Sequence, residues 1–259
     1  MRTSRLLLAL AGGVLLLLHL PILVLVVFSF NDSQFSVDWS GLTLRWYQRL
    51  LERPDILRGL RQSLLVGLTA TGIATILGTL FALAIARHRF SGRWALEGFL
   101  FVPVVTPEIV IGISLLSLFA LLRFPLGLTT ITIAHVAFCI SFVVIILLAR
   151  LRGMDQDLEE AAMSLGADEI TTFWRVTVPQ LWPGILAAAL LAFTISFDDF
   201  VITSFVSGSG SSTLPIVVYG MVRKNVEPSI NAISTIILLA TAGLIYLSDR
   251  LLRDRRPSA

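Results

Sequence analysis

The chain has 259 residues, of which 56% are hydrophobic and only 14% charged, with a formal net charge of +3. Soluble domains carry about 25% charged residues, so this composition, with its mean hydropathy of +0.86, is that of a membrane protein. The arginines cluster between apolar runs as topology determinants do, so the pI of about 9.6 implies no nucleic-acid site.

A helix crossing about 30 Å of hydrocarbon needs about 20 apolar residues. Six stretches qualify, at about residues 6–28, 64–86, 98–122, 126–149, 182–205 and 228–248. They predict an all-α membrane protein of six transmembrane helices, one domain over residues 1–259. The first run follows Arg2 and Arg5 as a signal peptide would. It exceeds the usual h-region of about 7–15 residues, and no small-x-small cleavage site follows Phe28, so it is expected to be retained. Residues 44–60 have the spacing of a short amphipathic helix. In the second span Ala70, Ala74, Gly78, Ala82 and Ala86 recur every fourth residue, a face smooth enough for close helix approach.

Glu108 interrupts the third span about 15 Å past Gly98 at 1.5 Å per residue, near its middle. Pro103 and Pro107 flank it and leave carbonyls without donors, which predicts a kinked or broken helix. The fourth span holds His135, expected to be hydrogen-bonded within the bundle, and the single cysteine, Cys139. One cysteine allows no intrachain disulfide, and His19, His88 and His135 are too far apart in sequence to suggest a metal site.

Between spans four and five lies a polar insert, residues 155–181, overlapping the stretch DLEEAAMSLGADEITTFWRVTVPQLWP from Asp157 to Pro183. Asp157 is expected to cap a first helix with Glu160 three residues on. Gly166 suits the left-handed position that ends it. Asp168 then caps a second helix to about Val176, which Pro179 and Pro183 stop before span five. The result is a compact helix–turn–helix knob with small alanines on one side.

Span five carries adjacent carboxylates, Asp198 and Asp199, about 24 Å past Trp182. Ionisable groups at such depth usually face a bundle interior or a water-filled path. With Glu108 they form a row of acids unmatched by any intramembrane lysine or arginine, which suits a cationic cargo. Adjacent helical residues point about 100° apart, so at most one of the pair is expected to face the path; helix-end capping is the structural alternative. Beyond lie a Gly/Ser-rich stretch, residues 207–212, read as flexible, and an apolar piece, residues 214–221, too short to span.

With the N-terminus inside, twelve of the twenty Lys and Arg residues fall on the cytoplasmic side. An even span number then puts both termini in the cytoplasm, and the polar insert with them. The lone lysine, Lys224, follows no glycine-rich loop, so the chain carries no P-loop.

Glu160-Ala161-Ala162, three residues, Gly166, nine residues, then Val176-x-Val178-Pro179 resembles the EAA loop of the membrane subunits of ATP-binding-cassette importers. The departures from that pattern are valines where isoleucine and leucine are usual, which keep the apolar character. The resemblance implies a type I importer permease in a bacterial inner membrane, a transporter subunit and not an enzyme. Its coupling helices would dock on a separate ATPase through Glu160, Ala161, Ala162, Gly166 and Pro179. No cofactor is implied in this chain; ATP and magnesium belong to the partner ATPase dimer. A second, distinct permease subunit and an extracytoplasmic solute-binding protein complete the implied assembly, which works by alternating access. The segment Phe193 to Ile202, with Ser204 to Gly208 and Thr213-Leu214-Pro215, is similar to the shorter permease subunits of spermidine/putrescine importers. That implies Asp198, Asp199 and Glu108 in the cargo path or gate. Permeases for amino acids, opines or aminophosphonates share the docking loop and remain the alternative. An ATP-independent channel or secondary transporter fits the buried acids but not the insert.

Overall fold

The computed structural model describes residues 2–33, 38–155, 157–224 and 227–253. Its helices fall into two packed units. The first comprises Met1–Arg58 and Val217–Gly243, the second Gly59–Ile216 and Leu244–Ala259.

In the first unit α1 (Arg2–Phe28) is leucine-rich all round, and its side chains from Leu7 to Val27 are largely exposed. A helix apolar on every face needs lipid or protein around it. Asn31 organises the turn that follows: its amide donates to the Asp38 carbonyl at 2.7 Å and accepts from the Ser40 N–H at 2.9 Å. Trp46 on α2 (Arg45–Leu51) donates from Nε1 to the Asn31 carbonyl at 2.7 Å. The amphipathic helix expected over 44–60 is thus two pieces. The chain leaves α2 at Glu52 and restarts at Pro54, the first residue of α3 (Pro54–Arg87). A proline restrains its predecessor from helical geometry, yet itself suits the first helical position. Arg53 at this joint pairs with Asp55 at 2.6 Å and Glu227 at 3.6 Å.

In the second unit the small-residue stripe of α3 is buried at Ala70, Ala74, Gly78 and Ala82, while Ala86 is exposed. Gly78 lies against α6 (Leu128–Arg152), where an added Cβ would sit 2.6 Å from Val143 Cγ1. The third predicted span is two helices, α4 (Arg93–Val105) and α5 (Glu108–Leu121), bent by 113°. The break falls at Thr106, whose ψ of 132° is the extended geometry favoured before Pro107; Pro103 stays within α4. Helix α6 packs against α9 (Val178–Asp198) and α4, and Ile131, Cys139, Val143, Leu147, Leu181, Ala188 and Ala192 join in the core.

After Asp198 the chain breaks and restarts as α10 (Val201–Val206), which packs on α5 and α6. Then come α11 (Leu214–Lys224) and α12 (Pro228–Arg253). The Gly/Ser stretch, expected to be flexible, is pinned. The Gly208 N–H donates to Ser211 Oγ at 2.8 Å, and Gln62 Nε2 to the Gly210 carbonyl at 2.8 Å. Ser63 Oγ accepts from the Leu214 N–H at 2.9 Å. One local turn and two bonds from α3 side chains distant in sequence hold a loop which composition alone reads as loose.

Among the described residues four helices are long and apolar enough to cross a membrane, or five if α4 and α5 form one bent span. Pro228–Leu244 is a shorter apolar helix at the sixth position.

Candidate functional site

The insert folds as α7 (Asp157–Ser164), α8 (Glu169–Thr172) and a five-residue π turn (Phe173–Thr177) that runs directly into α9. Asp157 is the first residue of α7, and its N–H donates to the Asp155 carboxylate at 3.0 Å. Gly166, at φ +93°, ends α7: its N–H bonds the Met163 carbonyl, and the Ala167 N–H bonds that of Ala162. This is the paired-bond glycine termination, and a Cβ at that φ would cost about 1 kcal/mol. Asp168 caps α8 by accepting from the Thr171 N–H at 2.9 Å. The Thr171 side chain and backbone hold its carboxyl below the usual carboxylate range.

The second helix does not stop at the prolines. Thr177 and Val178 are helical, the Val178 N–H reaches back to the Phe173 carbonyl, and Pro179 falls in the first turn of α9. A π turn widens the backbone by one residue, which makes room for a proline that has no N–H to give. Residues 169–198 are therefore one helical rod from knob to apolar core.

Glu160 and Ala161 are exposed and Ala162 is half-buried. Around them a set of apolar side chains is uncovered: Leu165 is 90% exposed, Ile170 71% and Trp174 64%. The neighbouring acid, Glu159, points the other way. It pairs with Arg87 at the end of α3 and accepts from Thr177 Oγ1 at 2.7 Å. Nothing in the one-dimensional sequence separates Glu159 from Glu160 except their 100° offset on the helix.

The three carboxylates of the apolar spans also part company. Glu108 opens α5 and is exposed, at a helix N-terminus, where backbone donors favour negative charge. Asp198 is the last residue of α9 and is exposed; among the described residues no hydrogen bond or ion pair involves it. Asp199 is buried and fully engaged. Its carboxylate accepts from the Ile202 and Thr203 N–H groups at 3.3 and 2.8 Å, and from Thr203 Oγ1 at 2.7 Å. It thereby caps α10. His135 Nε2, from α6, lies 3.2 Å from Asp199 Oδ2 and 2.9 Å from Thr203 Oγ1, while Nδ1 bonds Ser196 Oγ at 2.7 Å. A carboxylate only accepts, so Nε2 donates and Ser196 completes the network at the other nitrogen. The expectation that His135 is a hydrogen-bonded bundle residue holds; its pairing with Asp199 across sixty-odd residues was invisible to spacing. His88 is exposed, and His19 Nδ1 bonds the Leu15 carbonyl of its own helix.

Long apolar helices with a polar helix–turn–helix set between two of them define the class: a multi-span α-helical membrane protein. The match to the binding-protein-dependent transport system inner membrane component spans residues 74–254. The chain is 39% identical over 92% of its length to the spermidine/putrescine transport system permease protein PotC of Escherichia coli (strain K12), covering 90% of that protein. It is 41% identical over 92% of its length to the putrescine transport system permease protein PotI of the same strain, covering 89%. A bacterial alginate ABC transporter, solved in complex with an alginate pentasaccharide-bound periplasmic protein, has a chain of the same fold. The TM-score is 0.75 at 14% identity, with 99% of this chain and 96% of that chain covered. The chain belongs to the family of binding-protein-dependent transport system inner membrane components. It is a permease subunit of an ATP-driven importer and not an enzyme.

Proposed function

We propose that this permease imports polyamines, with Asp198 and Glu108 facing the cargo path and Asp199 holding the geometry of the gate. The observation that carries this reading is Asp198: an exposed carboxylate with no hydrogen bond or ion pair among the described residues, at the break between α9 and α10, in a helix with no other acid beyond Thr172. Two relatives that match over nine-tenths of the chain are permeases of spermidine/putrescine and putrescine systems, which supports a cationic cargo. An ammonium group leaving water exchanges its hydration for charge-assisted hydrogen bonds to such carboxylates.

The knob from Asp157 to Pro179, through Glu160, Ala161, Ala162 and Gly166, docks on a separate ATPase dimer that binds ATP and magnesium. Its exposed Leu165, Ile170 and Trp174 supply the apolar contact, and Glu160 offers a charge at the rim. A second, distinct permease subunit and an extracytoplasmic binding protein complete the assembly in a bacterial inner membrane, with both termini cytoplasmic.

The test is uptake of labelled putrescine, labelled spermidine and an anionic control into proteoliposomes holding the whole complex with ATP. Polyamine uptake is expected, and Asp198→Asn is expected to lower it at least about tenfold with ATPase assembly intact. Uptake of the anion alone, or unchanged polyamine kinetics in Asp198→Asn, refutes the cargo assignment.

A further inference from the structure

Helix α7 is held in place by charge and not by apolar packing. None of its residues is buried, and its apolar side chains Leu158 and Met163 are 50% and 44% exposed. What anchors it is Glu159, whose side chain is 17% exposed and whose Oε1 is shared between Arg87 Nη2 and Thr177 Oγ1. Arg87 Nη2 also donates to Thr177 Oγ1 at 3.3 Å. The three side chains close a triangle between the last turn of α3, the first turn of α7 and the π turn at the root of α9.

We propose that Arg87, Glu159 and Thr177 are a latch that carries movement of the docking knob into α3 as well as α9, and so are positioning residues for energy coupling. This rests on the reading of the knob as the ATPase-docking element. Helix α9 receives the knob's motion through continuous backbone, but only across the π turn, where Pro179 gives no N–H and the hydrogen-bond ladder is widened. Such turns are where long helices kink. The Glu159–Thr177 bond bridges that joint. Helix α3 is some seventy residues away along the chain and meets the knob through Arg87. At Gly78 it lies so close to α6 that an added Cβ would sit 2.6 Å from Val143 Cγ1. With the latch closed, knob, α3 and α9 move as one body; with it open, the knob swings alone.

The experiment uses the whole complex in proteoliposomes and reads labelled putrescine and spermidine uptake and ATP hydrolysis in the same vesicles. Glu159→Gln keeps the shape and a hydrogen bond to Thr177 but removes the charge that binds Arg87. The expected result is at least about a fivefold fall in uptake per ATP hydrolysed, with the ATPase still co-purifying. The double reversal Arg87→Glu with Glu159→Arg is expected to raise that ratio above either single reversal. An unchanged ratio in Glu159→Gln overturns the latch, as does a double reversal no better than its singles. So does loss of the ATPase on purification of Glu159→Gln, because Glu159 is then a docking contact. Leu165→Asp separates the two readings: normal co-purification and coupling in that variant refutes ATPase docking at the knob, whatever Glu159→Gln does.

Discussion

Two adjacent carboxylates, Asp198 and Asp199, have opposite fates because the helix ends between them. Asp198 closes α9 and stays exposed, while Asp199 turns inward to cap α10 and meet His135. A buried carboxylate stripped of such partners is strongly unfavourable, and so are partners stripped of their acceptor. Asp199→Ala is therefore expected to destabilise the protein by about 3 kcal/mol, seen as a lower unfolding midpoint in detergent. Asp198→Ala should stay within about 0.5 kcal/mol of the parent; equal losses in the two variants would contradict the division of roles. Sequence alone offered both readings, path and cap, for the pair. The structure splits them because Asp199 caps α10 through Ile202 and Thr203 and also meets His135, which arrives from α6 sixty-four residues away, a long-range fact that no local window contains.

At the scale of elements, the features set by neighbours in sequence were legible and those set by the third dimension were not. The turn at Gly166 and the cap at Asp168 form where the residue types demand, since both are closed by backbone groups within five residues. The break before Pro107 is likewise local. Pro179 is a local exception: a proline stops a regular helix, but the π turn just ahead of it absorbs the missing bond and the rod continues. Gly166→Pro should melt the α7 terminus, because proline is locked near φ −65° where the backbone needs +93° and lacks the N–H that bonds Met163. The expected outcome is loss of ATPase co-purification and of ATP-driven uptake; retention of both would remove the knob from the coupling path.

For the whole molecule, the consequence of the proposed arrangement is a topology. With both termini cytoplasmic, the loop between α3 and α4 lies inside the cell and the segment before α2 outside. Leu42, 80% exposed, and Arg89, also exposed, are suitable reporters. The native Cys139 is buried and leaves a quiet background to thiol labelling. Leu42→Cys is expected to react with a membrane-impermeant maleimide in right-side-out vesicles, and Arg89→Cys only in inside-out ones. The reverse pattern would place the knob, and the ATPase with it, on the wrong side of the membrane for ATP.

Composition and the spacing Glu160-Ala161-Ala162, Gly166, Pro179 were enough to read a helical membrane protein of importer type, because hydrocarbon forces apolar helices of fixed length and the loop is a contiguous, local motif. Tertiary structure alone decided which acids are spoken for. Glu159 differs from Glu160, and Asp199 from Asp198, only by one step of the chain. What separates them is the arrival of Arg87 and His135 from helices distant in sequence, and a buried charge is settled by the partner that reaches it.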